Sequence, residues 1–187
     1  MNHSDLPQRL TARLAGRILN SVQAGDARPA GVLVPLFQQD GIWKVLFTKR
    51  TEQVVNHKGQ ISFPGGAKDP GDEDLLATAL RESEEEIGLD RTKVQVIGPL
   101  DPIKTITNYL IHPFVGIIPF PYPFRLNSQE VERLICLPLA DLIQEASSQR
   151  PEGVGLNLTF NRFSEVIWGA TARILYQFLD VAFLKED

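Results

Sequence analysis

Glu73-Asp74-Leu75-Leu76-Ala77-Thr78-Ala79-Leu80-Arg81-Glu82-Ser83-Glu84-Glu85-Glu86-Ile87-Gly88 reads as one helix with its stop signal attached. Residues Glu73 to Ile87 have helical spacing, and Gly88 stands where a C-terminal cap belongs. Stepping about 100° per residue from Leu76 puts Leu80, Ser83 and Ile87 within about 40° of it, with Ala79 nearby, as the expected buried stripe. Glu82, Glu85 and Glu86 fall on a separate face. Their three- and four-residue steps bring helix side chains within about 6 Å, so three carboxylates are expected to converge. A solvated acidic face accounts poorly for this pattern. No lysine is interleaved, like charges at four-residue spacing repel, and the acids lie in the half of the helix whose dipole disfavours anions. A hard divalent cation would neutralise them, and Mg²⁺ is the expected ion where phosphates complete its coordination. Arg81, four residues before Glu85, is expected to orient that carboxylate.

Upstream, Gln60-Ile61-Ser62-Phe63 has the composition of a short strand that Pro64-Gly65-Gly66 ends. The two glycines let the backbone approach a ligand or metal closely. A Gly-Gly turn alone is a weak signal, but it becomes specific when it feeds a helix bearing three acids. Gln60 and Ser62 alternate with Ile61 and Phe63, so this strand can turn a polar face toward a cleft. Arg50, His57 and Lys58 precede the turn and are candidates for binding substrate phosphates.

The remainder of the chain frames this centre. Its 187 residues, 43% of them hydrophobic, suffice for one buried core. A formal net charge of -4 provides no basic field for a nucleic-acid partner. The lone Cys136 excludes an intramolecular disulfide and a cysteine-built zinc site, and fits a cytoplasmic setting. No apolar run approaches the roughly 20 residues of a membrane span. Met1 to Gln23 reads as an amphipathic helix with Arg9, Arg13 and Arg17 between apolar positions, so residues 1–28 are expected to form a helical extension packed on a single domain at 29–187. Ala30 to Phe37 and Ile42 to Thr48 form an expected hairpin through Asp40-Gly41. Further strands are expected at Lys93 to Ile97, Leu110 to Ile118, Glu130 to Cys136 and Leu156 to Phe160, with helices at Pro138 to Ala146 and Thr171 to Phe183. Strands outnumber helices without regular alternation. The fold class is therefore α+β, a mixed β-sheet flanked by helices.

On these residues the chain resembles the Nudix hydrolases, whose signature is Gly, five residues, Glu, seven residues, Arg-Glu, an apolar residue, any residue, Glu-Glu, any residue, Gly and an apolar residue. The match is Gly66, Glu73, Arg81-Glu82, Glu85-Glu86, Gly88 and Leu89. Two departures stand out: six residues separate Gly66 from Glu73, and Ser83 occupies an apolar position. Leu46-Phe47-Thr48-Lys49-Arg50-Thr51 and His57-Lys58-Gly59-Gln60-Ile61-Ser62-Phe63-Pro64-Gly65-Gly66 resemble the additional motif of the coenzyme A pyrophosphatase branch, which also carries the loop insertion. Val54-Val55 stands where that branch has Leu-Arg, which removes a guanidinium able to pair with phosphate.

The resemblance implies an α/β/α sandwich and hydrolysis of a diphosphate linkage in a small nucleoside diphosphate derivative, coenzyme A foremost. It also implies Mg²⁺, or Mn²⁺, held by Glu82, Glu85, Glu86 and the Gly66 carbonyl. The general base stays open between Glu82, which could ligate metal or activate water, and Glu130 from a distant loop, and Glu73 is expected to support the glycine loop through backbone hydrogen bonds. Gly65, Gly66, Arg81 and Gly88 are structural supports. Homodimers occur among relatives. Two other readings remain: hydrolysis of ADP-ribose or a dinucleoside polyphosphate, and a sensor that binds nucleotide derivatives without cleaving them.

Overall fold

The structure, a computed structural model, describes residues 5–52, 58–149, 158–161 and 163–184. Its frame is a mixed eight-stranded sheet, and the longest strand, β1 (Arg28–Gln39), is at its centre. The Asp40-Gly41 turn, with both residues at positive φ, returns the chain as β2 (Ile42–Arg50), antiparallel to β1 from Leu36↔Val45 to Gln39↔Ile42. That backbone geometry matches the twist of a two-residue hairpin. Beyond Leu36 the two strands part. The wedge between them takes β3 (Ile61–Ser62), paired to β2, and β4 (Gly65–Ala67), paired to β1. Pro64-Gly65-Gly66 thus does more than end a strand, because its glycines form a strand of their own against Gly31 and Val32.

On the other edge of β1 runs β7 (Tyr109–Ile117), the one parallel partner in the sheet. It carries β5 (Gln95–Pro99) and the two-residue β6 (Ile103–Lys104), which was too short to read from sequence. β8 (Val131–Pro138) closes the far side against β2. A separate pair, β9 (Thr159–Phe160) and β10 (Ile167–Trp168), precedes the last helix. β9 takes up the C-terminal end of the strand expected at Leu156 to Phe160, whose residues 156–157 lie outside the described residues.

Alternation along the central strands divides the core in two. Val32, Val34 and Leu36 of β1 and Trp43, Val45 and Phe47 of β2 face one cluster. This cluster also takes apolar residues of α1 (Leu6–Leu14), α3 (Leu139–Ser148) and α4 (Gly169–Leu179), and a π turn over Asp180–Leu184 follows α4. Leu33, Phe37 and Leu46 face the opposite cluster, to which α2 (Leu75–Ile87) contributes Ile87. Helices on both faces of a mixed sheet make this an α+β sandwich.

The first helix is shorter than its sequence pattern. It ends at Leu14, Gly16 takes φ +71°, and Ile18, within the expected Met1–Gln23 helix, stands 96% exposed. Nine residues are too few for a helix to persist alone. Leu6, Leu10 and Leu14 hold it to the core instead, each worth about 1.5–3 kcal/mol when buried. Beyond it, Asp101 accepts hydrogen bonds from the Arg17 guanidinium and from the backbone and side-chain nitrogens of Asn20, which ties the following segment to the sheet.

Candidate active site

The acidic helix begins two residues later than its periodicity suggested. Asp74 is the N-cap, and its carboxylate accepts the Ala77 N–H at 2.7 Å. Gly88 ends the helix in the left-handed conformation at φ +68°, donating its N–H to the Glu84 carbonyl. The buried side chains are Thr78, Ala79, Ser83, Glu86 and Ile87, whereas Leu76 and Leu80 of the expected stripe are only half-buried. The cause is close packing on β1, since a Cβ on Gly31 would sit against the Leu75 carbonyl and 2.9 Å from the Ala79 nitrogen. A helix that near the sheet backbone turns its small side chains inward and leaves leucines at the margin. Ser83 fits there because its hydroxyl donates to the Ala79 carbonyl at 2.7 Å, which satisfies a polar group at zero exposure.

Arg81 is the hub on the glycine-loop side. Its Nε and Nη2 grip the two Asp72 oxygens at 2.9 and 3.1 Å, Nη1 meets Glu85 at 3.0 Å, and Nη2 lies 2.9 Å from Glu82 Oε1 and 3.3 Å from the Ala67 carbonyl. This bidentate grip holds the Asp72 carboxyl well below the usual carboxylate range and the guanidinium well above its own. Asp72 also accepts from the Asp69 N–H and the Thr78 hydroxyl. Glu73, expected to brace this loop, is exposed and makes no side-chain hydrogen bond or ion pair among the described residues. Counted forward from Gly66, five residues lead to Asp72. The extra residue therefore falls between this brace and the helix, and a shorter acid takes the role. That signal was available in the spacing.

Glu86 is the most enclosed of the acids, with a side chain 3% exposed. Its Oε1 lies 3.5 Å from Arg50 Nη1, and its Oε2 accepts the Gly65 N–H at 3.3 Å. Burial pushes its carboxyl up to about 8. The charges of Glu82 and Glu130 add to the rise, and Arg50 and the Gly65 N–H only partly offset it. Glu82 is raised as well, chiefly by burial, with the charges of Glu85 and Glu130 adding to it and Arg81 opposing. Its carboxyl occupies the space a side chain on Gly66 would need, 2.5 Å from that hypothetical Cβ. Gly65, at φ +151°, has a backbone that other residues rarely adopt. Glu82 and Glu86 thus sit beside Gly65-Gly66 within the field of Glu130.

Glu85 departs from the expected convergence. It is turned outward onto Arg81, with its side chain 57% exposed. Among the described residues no three histidine, cysteine or acidic side chains form a ready ligand set for one ion. The arginines explain this arrangement, since Arg81 engages Glu82 and Glu85 while Arg50 faces Glu86. The chemistry of the donors still suits a hard divalent cation, because carboxylate oxygens raised by burial and mutual repulsion gain most from one.

The substrate-side candidates separate. Arg50 belongs to the cluster, and its buried Nε has no partner among the described residues. Lys58 is exposed. The Ser62 hydroxyl lies 3.1 Å from that of the buried Thr48, across the β2–β3 pairing. Gln60 is half-buried, and its carbonyl accepts the Arg50 N–H. His57 and Val54-Val55 lie outside the described residues. One participant gave no sequence signal: Asn127 donates its backbone N–H to the Glu86 carbonyl and its side-chain amide to Glu130.

A mixed sheet opened by a glycine wedge, with a helix setting the Glu82 and Glu86 carboxylates beside it, suits an enzyme that works on anionic phosphoanhydrides through a bound cation. The NUDIX domain model matches residues 27–154, and the chain belongs to the Nudix hydrolases, enzymes acting on pyrophosphate bonds of nucleoside diphosphate derivatives. The chain is 36% identical over 157 residues, 80% of its length and 82% of the relative's, to an uncharacterized Nudix hydrolase, NudL, of Photorhabdus laumondii. Among solved structures it resembles a Nudix hydrolase from Alicyclobacillus acidocaldarius (TM-score 0.57, 19% identity, 82% of this chain and 91% of that one). It also resembles an Ap4A hydrolase from C. elegans in a binary complex (TM-score 0.52, 20% identity, 63% of this chain and 84% of that one). At those identities the two structures speak for the fold alone. No helix among the described residues is long and apolar enough to cross a membrane.

Proposed function

We propose that this Nudix hydrolase cleaves the diphosphate of coenzyme A or an acyl-coenzyme A to give 3′,5′-ADP and the corresponding 4′-phosphopantetheine. The observation that carries the hydrolytic site is the pair of mutually repelling carboxylates, the half-buried Glu82 and the buried Glu86, beside Gly65-Gly66. The resemblance of the His57 to Gly66 segment to the coenzyme A pyrophosphatase motif supports the substrate. Mg²⁺ or Mn²⁺ held by Glu82, Glu85, Glu86 and the Gly66 carbonyl would polarise the diphosphate and make water more acidic.

The chain's own residues do the rest. Arg81, braced by Asp72, holds Glu82 beside the glycine loop and keeps Glu85 within reach on its outer side. Arg50 keeps a positive charge beside Glu86 that favours an approaching phosphate. Glu130 accepts the proton of the attacking water. The water oxygen bonds to phosphorus, the anhydride P–O bond breaks, and its electron pair leaves with the departing phosphate. A homodimer is the proposed assembly, read by sedimentation.

The test is incubation with Mg²⁺ and coenzyme A, ADP-ribose, NADH or diadenosine tetraphosphate, with products identified by mass spectrometry beside a Glu86→Gln control. Release of 3′,5′-ADP and 4′-phosphopantetheine, lost in the control, is expected. Cleavage of another panel member in place of coenzyme A refutes the substrate and keeps the reaction class. Binding without cleavage of any member points to a sensor.

A further inference from the structure

We infer that Asn127 is a positioning residue that fixes the Glu130 carboxylate relative to the end of α2 bearing Glu86. The inference rests on the proposal that Glu130 takes part in hydrolysis. Every polar group of Asn127 is engaged. Its N–H donates to the Glu86 carbonyl at 2.9 Å, and its own carbonyl accepts the N–H groups of Glu130 and Val131 at 2.9 and 2.8 Å. In the side chain, Oδ1 accepts the Gln129 N–H at 3.2 Å and Nδ2 donates to Glu130 Oε1 at 3.2 Å.

The surroundings pin the same turn from two directions. Leading into it, the Tyr122 hydroxyl donates to the Gly88 carbonyl and accepts the Asp90 N–H, and the Arg125 N–H donates to the Ile87 carbonyl. Three successive carbonyls at the end of α2, those of Glu86, Ile87 and Gly88, are therefore satisfied by one loop. On its far side the Thr51 N–H donates to the Glu130 carbonyl and the Thr51 hydroxyl to the Gln129 carbonyl, next to Arg50. The Glu130 backbone is thus held between α2 and the end of β2. Its carboxylate still has rotamer freedom, and among the described residues the Asn127 amide is the one donor that restrains it.

Asn127→Asp isolates that contact. The aspartate keeps the backbone bonds and an oxygen for the Gln129 N–H, but it sets a carboxylate where Glu130 had a donor. The experiment compares wild type, Asn127→Asp, Glu130→Gln and the double variant, using whichever of coenzyme A, ADP-ribose and diadenosine tetraphosphate the wild type cleaves fastest with Mg²⁺. Expected for Asn127→Asp are a melting temperature within about 2 °C of wild type, kcat lower by about 10- to 100-fold, and KM within about twofold. In the Glu130→Gln background the same change should cost nothing further, because two residues acting as one unit are not additive. The Asn127 side-chain amide resonances of substrate-free protein should also shift in Glu130→Gln. Wild-type kcat in Asn127→Asp beside a slow Glu130→Gln overturns the inference and leaves the Glu130 proposal standing. Wild-type kcat in Glu130→Gln overturns the role of Glu130 and the inference with it. An equal loss from Asn127→Asp in both backgrounds assigns Asn127 a role independent of Glu130.

Discussion

Arg50 Nη1 lies 3.5 Å from Glu86 Oε1, across the gap between the end of β2 and the last turn of α2. This cation faces a carboxylate whose side chain is 3% exposed, and it does not suffice: burial and two neighbouring acids still carry the Glu86 carboxyl up to about 8. In the absence of a further cation, Glu86 is therefore mostly protonated at neutral pH. The site is assembled in advance of a second positive charge.

A pH dependence of stability follows. Glu86 ionises near 4.5 when unfolded and near 8 when folded, so between these values the folded state binds more protons. Stability must then fall as pH rises through that window and level off above it. Glu86→Gln has nothing to ionise. In EDTA it should melt with wild type at pH 4.5 and several degrees above it at pH 8.5. Parallel melting curves for the two proteins across this range would refute the assignment.

Metal uptake should mirror this titration. A divalent ion that takes Glu86 as a ligand must displace its proton, so the apparent affinity should rise from pH 6 to pH 8.5. Calorimetry at pH 7 in buffers of different ionisation enthalpy should show close to one proton released per ion. A pH-independent affinity without proton release would mean that Glu86 is not a ligand.

Asp72 titrates in the opposite sense. Arg81 depresses its folded value, so its contribution is full above the unfolded value, about 3.9, and is lost as pH falls through the folded one. Asp72→Asn should cost on the order of 1–3 kcal/mol at pH 7, with the gap to wild type closing below about pH 4. Glu73→Gln, at the signature's own position, should melt like wild type. A larger loss at Glu73 than at Asp72 would restore the brace to the residue the pattern named.

The Asp72 result shows where sequence reading ran out. The periodicity of residues 73–88 placed the helix and its acids, and Asp40-Gly41 placed the hairpin, because both signals are local. The two-residue β6 was missed because its pairing with β7 alone makes it a strand. The buried stripe was misplaced because Gly31 draws α2 toward Thr78 and Ala79, a tertiary effect absent from α2's own pattern. Glu85 seemed to converge with its neighbours because spacing fixes where a Cβ lies, not which arginine claims the carboxylate. Asn127 was invisible because its partners are a carbonyl 41 positions away and a turn it builds itself.

Gly31 and Gly66 should fail in different ways when replaced by alanine. At Gly31 the new methyl meets the Leu75 carbonyl and the Ala79 nitrogen, which are backbone atoms of α2 that can yield only if the helix moves. Overpacking of that kind costs about 3 kcal/mol or more, roughly 6–12 °C in a domain this size. At Gly66 the methyl meets the Glu82 carboxyl, the end of a side chain that can swing aside, so the fold should survive with little change in melting temperature. If Glu82 has its proposed role, the cost falls on chemistry, because displacing such a carboxylate by about 1 Å is worth about 100-fold in rate. Thermal melts and kcat/KM on the same preparations separate the two. Gly66→Ala with wild-type activity would show that the tight seat of Glu82 against the loop is incidental. A wild-type melting temperature for Gly31→Ala would show that α2 has room to lift from β1.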